Sequence, residues 1–311
     1  MMRRRLVAAF TTLAAGVSGL AAATFQATPA ASVPLMQIGD AHAEFGPSLR
    51  GDRPIFVLIL GSDSRPGTPV EEGLCDSIHI LGINPAEKRA TLVGIPRDSY
   101  VPLASGGTNK INVGLPQGGP EGMVATVENL TGITFDYYVL TGFEGLTRIF
   151  DALGGLTIDV PYSFDGYEGT SFTEGRRTMT GAEALEYTRT RKSLSHGDFD
   201  RSMNQGRVLQ AAFGQFRAEF RKDPAALFEW IALGMRNVST DLPLNELLTL
   251  AFTSWTIRPA RLTNLVAVGS VGSAGGASIV SLPSPHPVFE DIAADGFILP
   301  EDIPADAAPA G

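Results

Sequence analysis

Cys75 is the only cysteine in 311 residues, which excludes an intramolecular disulfide and any thiolate cluster for zinc or iron–sulfur. Histidine is scarce too, and His42, His79, His196 and His286 lie too far apart to form a metal-ligand motif. Positive charge is the minority sign: 24 Lys and Arg against 33 Asp and Glu leave a formal charge of −9. Nucleic acid, which is held by a basic face that neutralises phosphates, is therefore excluded as the main partner. No Gly-x-x-x-x-Gly-Lys-Ser/Thr loop occurs, so the chain is not a P-loop enzyme. Nor is there a repeat, because the 35 Gly and 21 Pro gather at the ends and in turns without a period.

What is present points to an exported globular protein. A 44% hydrophobic composition supplies a sizeable core. Arg3, Arg4 and Arg5 precede an uncharged apolar stretch over 6–25. This predicts an N-terminal apolar helix that serves as signal or membrane anchor over residues 1–25. Ala30-Ala31-Ser32 or Ala41-His42-Ala43 fits a cleavage site, yet the stretch also has the roughly 20 apolar residues that span a bilayer. Cleaved, the protein is secreted; retained, it is a single-pass cell-membrane protein. In both cases the arginines stay cytoplasmic and the remainder is extracytoplasmic. Residues 26–53 read as a flexible linker, 54–299 as one domain and 300–311, rich in Ala and Pro, as a disordered tail.

Within that domain, the apolar run over 55–60 ends at Gly61, the pattern of a strand buried on both faces. The runs over 77–83 and 90–95 predict a hairpin. Helices are expected over 120–131, 143–153, 202–220, 225–235 and 244–254, and strands over 137–140, 156–160, 262–268 and 277–282, with a turn at 272–276. Thr180-Gly-Ala-Glu183 is a capping box that opens a short helix, after which 187–191 reads as extended. The alternation predicts an α/β fold: a single α-β-α sandwich with a central mixed β-sheet.

Charged residues cluster at the predicted strand ends, where open α/β sheets bind ligands. Asp63 and Arg65 follow the first strand, and Asp76 starts the hairpin, placed to face Asp63. Such a carboxylate pair suits Mg²⁺, a hard cation that takes oxygen ligands. Arg97 ends the second hairpin strand. Arg189 and Arg191 share a face of an extended segment, and Arg201 and Gln205 share a helix face near its N-terminus, where anions are favoured. The arginines exceed what two carboxylates need, and a pyrophosphate with one Mg²⁺ balances that excess. Phosphoryl transfer, which rests on positioning and charge stabilisation, is the class that fits.

Taken together, the chain resembles the LytR-CpsA-Psr cell-wall ligases. The likeness is carried by Gly-Ser-Asp-Ser-Arg at 61–65, Asp-Ser-Ile at 76–78, Ile-Pro-Arg-Asp at 95–98, Asn-Lys-Ile-Asn at 109–112, Gly-Gly-Pro-Glu at 118–121, Asp-Ala-Leu-Gly-Gly at 151–155, Thr-Arg-Thr-Arg at 188–191 and Gly-Asp-Phe-Asp-Arg at 197–201. The resemblance implies a glycopolymer phosphotransferase, its domain tethered to the membrane by the N-terminal segment. A polyprenyl-pyrophosphate-linked glycan donor would sit in an apolar tunnel lined from the 208–220 region. Its glycan would pass to a hydroxyl of peptidoglycan or another wall polysaccharide, releasing polyprenyl phosphate. It further implies that Asp63 and Asp76 hold Mg²⁺, or Mn²⁺ in its place, and that Arg65, Arg97, Lys110, Arg189, Arg191, Arg201 and Gln205 surround the diphosphate. Among these, Arg97, Arg189 and Arg191, with Asp63, would be catalytic, and either Asp63 or Asp98 the general base. One position departs from the relatives: Leu74 stands where they carry an arginine two residues before the aspartate matching Asp76, removing one phosphate contact. The same charges would also suit a pyrophosphatase acting on polyprenyl or nucleotide diphosphates, or a non-catalytic lipid-phosphate-binding envelope regulator.

Overall fold

The computed structural model describes residues 53–303, and the expected N-terminal helix and most of the tail lie outside them. A six-stranded mixed sheet forms the middle layer. Its strands are β1 (Ile55–Ser62), β2 (Cys75–Asn84), β3 (Arg89–Gly94), β4 (Tyr137–Gly142), β7 (Ser239–Thr240) and β8 (Leu262–Val266), in the order β7-β4-β1-β2-β3-β8. The hairpin β2–β3 and the pair β1–β2 are antiparallel, whereas β4 on β1 and β8 on β3 are parallel. Between β4 and β7 in the chain, β5 (Leu156–Val160) and β6 (Gly175–Met179) form a separate antiparallel hairpin.

Period-two alternation along the strands explains the layering. Leu58, Leu60, Ile78, Ile80 and Val93 point to one face, against Leu115, Met123 and Val127 of α1 (Gly114–Thr131) and Val288, Phe289 and Ile292 of α7 (Pro287–Asp295). Ile55, Val57, Ile83 and Leu92 point to the other. There they meet Leu209 and Phe213 of α4 (Asp198–Lys222) and Leu247 and Leu250 of α6 (Leu244–Thr256). A third core joins Leu156, Ile158 and Met179 of β5 and β6 to Phe150 of α2 (Phe143–Ala152), Ala184 and Tyr187 of α3 (Gly181–Arg189) and Val208 of α4. The remaining helix, α5 (Ala226–Asn237), follows α4 directly. Among the described residues no helix is long and apolar enough to cross a membrane.

Several boundaries differ from the sequence reading. α3 continues through Arg189, where an extended segment was expected, because Tyr187 is drawn into the third core and Thr190 N–H closes on the Glu186 carbonyl. The strand expected over 277–282 pairs with Ser270–Ala274 in a hairpin of its own, and the turn narrows to Gly275-Gly276, whose φ angles of 56° and 82° suit glycine. Pro300–Asp302 is a 3-10 turn and Ile303 packs on the core, so order extends past the boundary expected at 299.

Candidate functional site

The carboxyl ends of β1 and β4 and the start of β2 meet at one edge of the sheet, since Ser62 lies opposite both Cys75 and Gly142, and the segment after β3 joins them through the Ile95 N–H on the Ile78 carbonyl at 2.8 Å. α4 begins over that edge. Gly94 lets it approach: a Cβ there would stand 2.3 Å from Ser202 Oγ. His79, fully buried, bonds the Ser202 carbonyl through Nε2 at 3.1 Å and faces Ser77 Oγ through Nδ1 at 3.2 Å. Burial pushes this imidazole down to about 4, so it is neutral and fixes the first turn of α4 to the sheet.

Three acidic side chains organise the cations above this edge. Asp198 is almost wholly buried, with Oδ1 2.5 Å from Arg201 Nη2 and 3.9 Å from Arg97 Nε. Arg97 also binds Asp76 Oδ2. Asp98 takes Lys110 Nζ at 2.9 Å and Arg191 Nη2 at 3.4 Å. Burial works to lower the Arg97 pKa, but Asp76, with Asp198 and Asp98 behind it, outweighs burial and leaves it raised. For Arg201 burial prevails over Asp198, and its pKa is lowered. Gln205 ties the elements together, its Nε2 donating to the Asp76 carbonyl at 3.1 Å and the Thr188 carbonyl at 3.2 Å.

Asp76, Arg189, Arg201 and Gln205 line the polar end of a cavity of about 80 Å³ between β1, β4 and the helices α2, α3 and α4. Apolar walls come from Ile59, Leu60, Leu146, Leu185, Val208 and Leu209, and Ser62, Ser77, Thr141 and Thr188 also line it. From Ile59 and Leu209 an apolar band continues along the sheet through Leu81, Val139, Phe213, Leu247 and Leu250, all partly buried. Of the apolar 208–220 positions, Val208 and Leu209 line the cavity and Phe213 joins the band. Phe216 and Phe220 instead stack on each other and on Trp230, Phe252 and Trp255.

Asp76, Arg97, Arg201 and Gln205 are thus linked by ion pairs and hydrogen bonds, Lys110 and Arg191 are held beside them by Asp98, the residue after Arg97, and Arg189 shares a cavity with Asp76, Arg201 and Gln205. Two of the sequence candidates stand apart. Arg65 is exposed and lines a neighbouring cavity with Arg148 and Arg236. Asp63 lies behind the rim, its Oδ1 accepting the Leu74 N–H at 2.7 Å and its own N–H donating to the Leu74 carbonyl at 2.9 Å.

Of the three carboxylates that hold the cations, the sequence did not single out Asp198. The N-cap of α4 is Gly197, and the Asp198 carboxylate bridges two guanidiniums. Arg189 lies over the rings of Phe143 and Tyr167, 4.4 Å and 4.8 Å from their centroids, and donates to the Tyr167 hydroxyl. A tyrosine in the glycine-flanked loop at 166–169 was the available signal. Asp76 Oδ1 is buried with no hydrogen-bond partner, an oxygen of the kind a hard cation takes, so the donor set fits Mg²⁺.

Similarity to known proteins agrees with this geometry. The chain is 38% identical over 164 residues to the polyisoprenyl-teichoic acid–peptidoglycan teichoic acid transferase TagU of Bacillus subtilis, a match covering 52% of each chain. It is 37% identical over 194 residues to the protein of the same name from Halalkalibacterium halodurans, covering 62% of each. The chain thus spans about half to two thirds of the length of the curated relatives it matches. The crystal structure of B. subtilis TagV superposes with a TM-score of 0.64 at 27% identity, over 78% of this chain and 96% of that one. The LytR_cpsA_psr family model matches residues 27–277, and the chain belongs to that family.

Proposed function

We propose that this protein transfers a polyprenyl-pyrophosphate-linked glycopolymer to a hydroxyl of peptidoglycan or another cell-wall sugar. The observation that carries the reading is the convergence of Asp76, Arg189, Arg201 and Gln205 in a cavity whose other walls include Ile59, Leu60, Leu146, Leu185, Val208 and Leu209. Such a site suits a ligand with a multiply charged head and a hydrocarbon tail. The diphosphate lies among Arg97, Arg189, Arg191, Arg201 and Lys110, and the tail follows the apolar band beneath α4 and α6. The relatives named as teichoic acid transferases support the donor and acceptor classes.

In the reaction, the acceptor hydroxyl gives its proton to a carboxylate, Asp63 or Asp98, as its oxygen attacks the sugar-proximal phosphorus and the bridging P–O bond breaks. The glycopolymer is joined through a phosphodiester, and polyprenyl phosphate leaves. Arg189 and Arg201 sit where charge develops on the phosphoryl oxygens, and guanidiniums match that geometry with paired donors. Asp76 would hold Mg²⁺, with Asp63, whose Oδ1 is taken by the Leu74 N–H, offering only its second oxygen, and the ion would supply further charge neutralisation on the diphosphate. Gln205 keeps β2, α3 and α4 in register, so the arginines need not reorganise. The N-terminal stretch over 1–25 places the domain outside the cytoplasmic membrane.

The test is turnover of a synthetic polyprenyl-diphosphate glycan by residues 44–311, with and without a peptidoglycan oligomer. Acceptor-dependent release of polyprenyl phosphate together with a glycan–phosphodiester product is expected. Release at the same rate without acceptor would assign a pyrophosphatase instead. Donor binding without any release would assign a binding protein.

A further inference from the structure

A second charged site lies at the far end of the same hairpin. Lys88 sits in the β2–β3 turn, whereas Asp76 and Arg97 flank the opposite end, about 25 Å away at strand rise. Lys88 lines a cavity of about 410 Å³ with Arg217, Trp255, Thr256, Arg258 and Arg261. Four of these six residues are cationic and none is acidic, in a chain of formal charge −9. Arg217 Nε is held by the Ile257 carbonyl at 2.8 Å and Arg261 Nη1 by the Glu87 carbonyl at 3.1 Å, contacts that fix the side chains but leave their charges unneutralised.

The surroundings are those of a bilayer interface. The Arg217 guanidinium lies 6.0 Å from the half-buried Trp255 ring, whose N–H is itself buried and has no acceptor among the described residues. One turn before Trp255 on α6, Phe252 is 51% exposed, and both rings pack on Phe220. An exposed phenylalanine, a tryptophan and four cations at one place suit the boundary between headgroups and acyl chains. The apolar band also reaches this end, where Ile83, Ala90, Ile257 and Leu262 belong to it.

We propose that this face docks on the anionic surface of a lipid bilayer. A phospholipid phosphate enters the Lys88–Arg217–Arg258–Arg261 cavity, and the Phe252 ring enters the headgroup boundary. A lipid is favoured over a free phosphate because the cavity opens beside an exposed aromatic ring. The charges and rings stand independently of the transfer reaction; only the link to a bound polyprenyl tail rests on that reading.

Residues 44–311 suit the test, since they form one compact unit containing all three hydrophobic cores. Co-sedimentation with vesicles of phosphatidylglycerol and phosphatidylcholine is compared with pure phosphatidylcholine vesicles. Binding is expected only to the anionic vesicles, weakening as salt rises. Replacing Lys88→Gln and Arg258→Gln together, both exposed, should lower vesicle affinity about thirtyfold. Phe252→Ser should weaken binding with unchanged salt dependence. Equal binding to neutral vesicles, or full affinity in the double variant, overturns the proposal. Abolition by inorganic phosphate at constant ionic strength would assign the cavity to a free anion and overturn it as well. The double variant should turn over a detergent-solubilised donor at the native rate, and native protein that binds anionic vesicles yet shows no turnover of that donor counts only against the proposed function.

Discussion

Asp198→Asn removes the negative charge shared by Arg97 and Arg201 while keeping the side chain's size. Asp198 and Arg201 side chains are only 4% and 5% exposed, so water does little to replace the lost partner. Removing one member of a buried ion pair costs about 3–5 kcal/mol, and the retained amide oxygen recovers about 1 kcal/mol as an acceptor. The net loss is about 3 kcal/mol, which in a domain of this size lowers Tm by about 6–12 °C. Thermal unfolding of residues 44–311 followed by circular dichroism measures this directly. Inorganic pyrophosphate should raise the Tm of the variant more than that of the native protein, because it supplies the missing charge. A drop under about 2 °C would show that Asp198 does not neutralise the guanidiniums and would refute the reasoning.

Arg189→Ala should lower donor turnover about a hundredfold with little change in Tm, the scale expected on removing one preorganised donor to developing charge. Full activity in that variant would exclude Arg189 from the reaction. His79 supplies a pH signature. Its folded pKa of about 4 lies below the ordinary value of 6.5, so its contribution to stability is intact above about pH 6.5 and is lost as pH falls toward 4, by about 3 kcal/mol. The urea midpoint of His79→Gln should therefore depend less on acid than that of the native protein, and parallel curves would refute the assignment. A Cβ at Gly206 would stand 2.0 Å from Asn264 Oδ1, so Gly206→Ala should cost about 1–3 kcal/mol by forcing α4 from β8, measured by urea unfolding.

The framework was legible because its signals are local. The β1 run, the Gly132 C-cap and the Thr180–Glu183 capping box appear where sequence periodicity and cap chemistry put them. Arg189 was misplaced onto an extended segment because Tyr-Thr-Arg-Thr-Arg has weak helix propensity, which the burial of Tyr187 overrides. The place of Arg97 followed from a strand end at one edge of the sheet, a rule of topology, whereas Arg189 and Arg201 reach that edge from α3 and α4. The role of Asp198 did not follow, because it depends on a contact between Arg97 and Asp198 across about a hundred residues of chain. Arg65 is likewise separated from the other arginines: it opens the Pro-Gly-Thr turn after β1, its carbonyl taking the Thr68 N–H at 2.9 Å, and lines a cavity with Arg148 and Arg236.

The cations at the rim already have internal carboxylate counterions, and this gives turnover a direction. An arriving anion has to exchange places with Asp76, Asp98 and Asp198 instead of filling an uncompensated positive hole. A diphosphate with a long hydrocarbon chain offers both enough charge and enough buried surface to win that exchange. If the proposed transfer is the reaction, each fragment left once the bridging bond is broken carries a single phosphorus centre and competes less well, so the acidic side chains would reclaim their guanidiniums. Product release would then follow from the same ion pairs that hold the rim in its resting state.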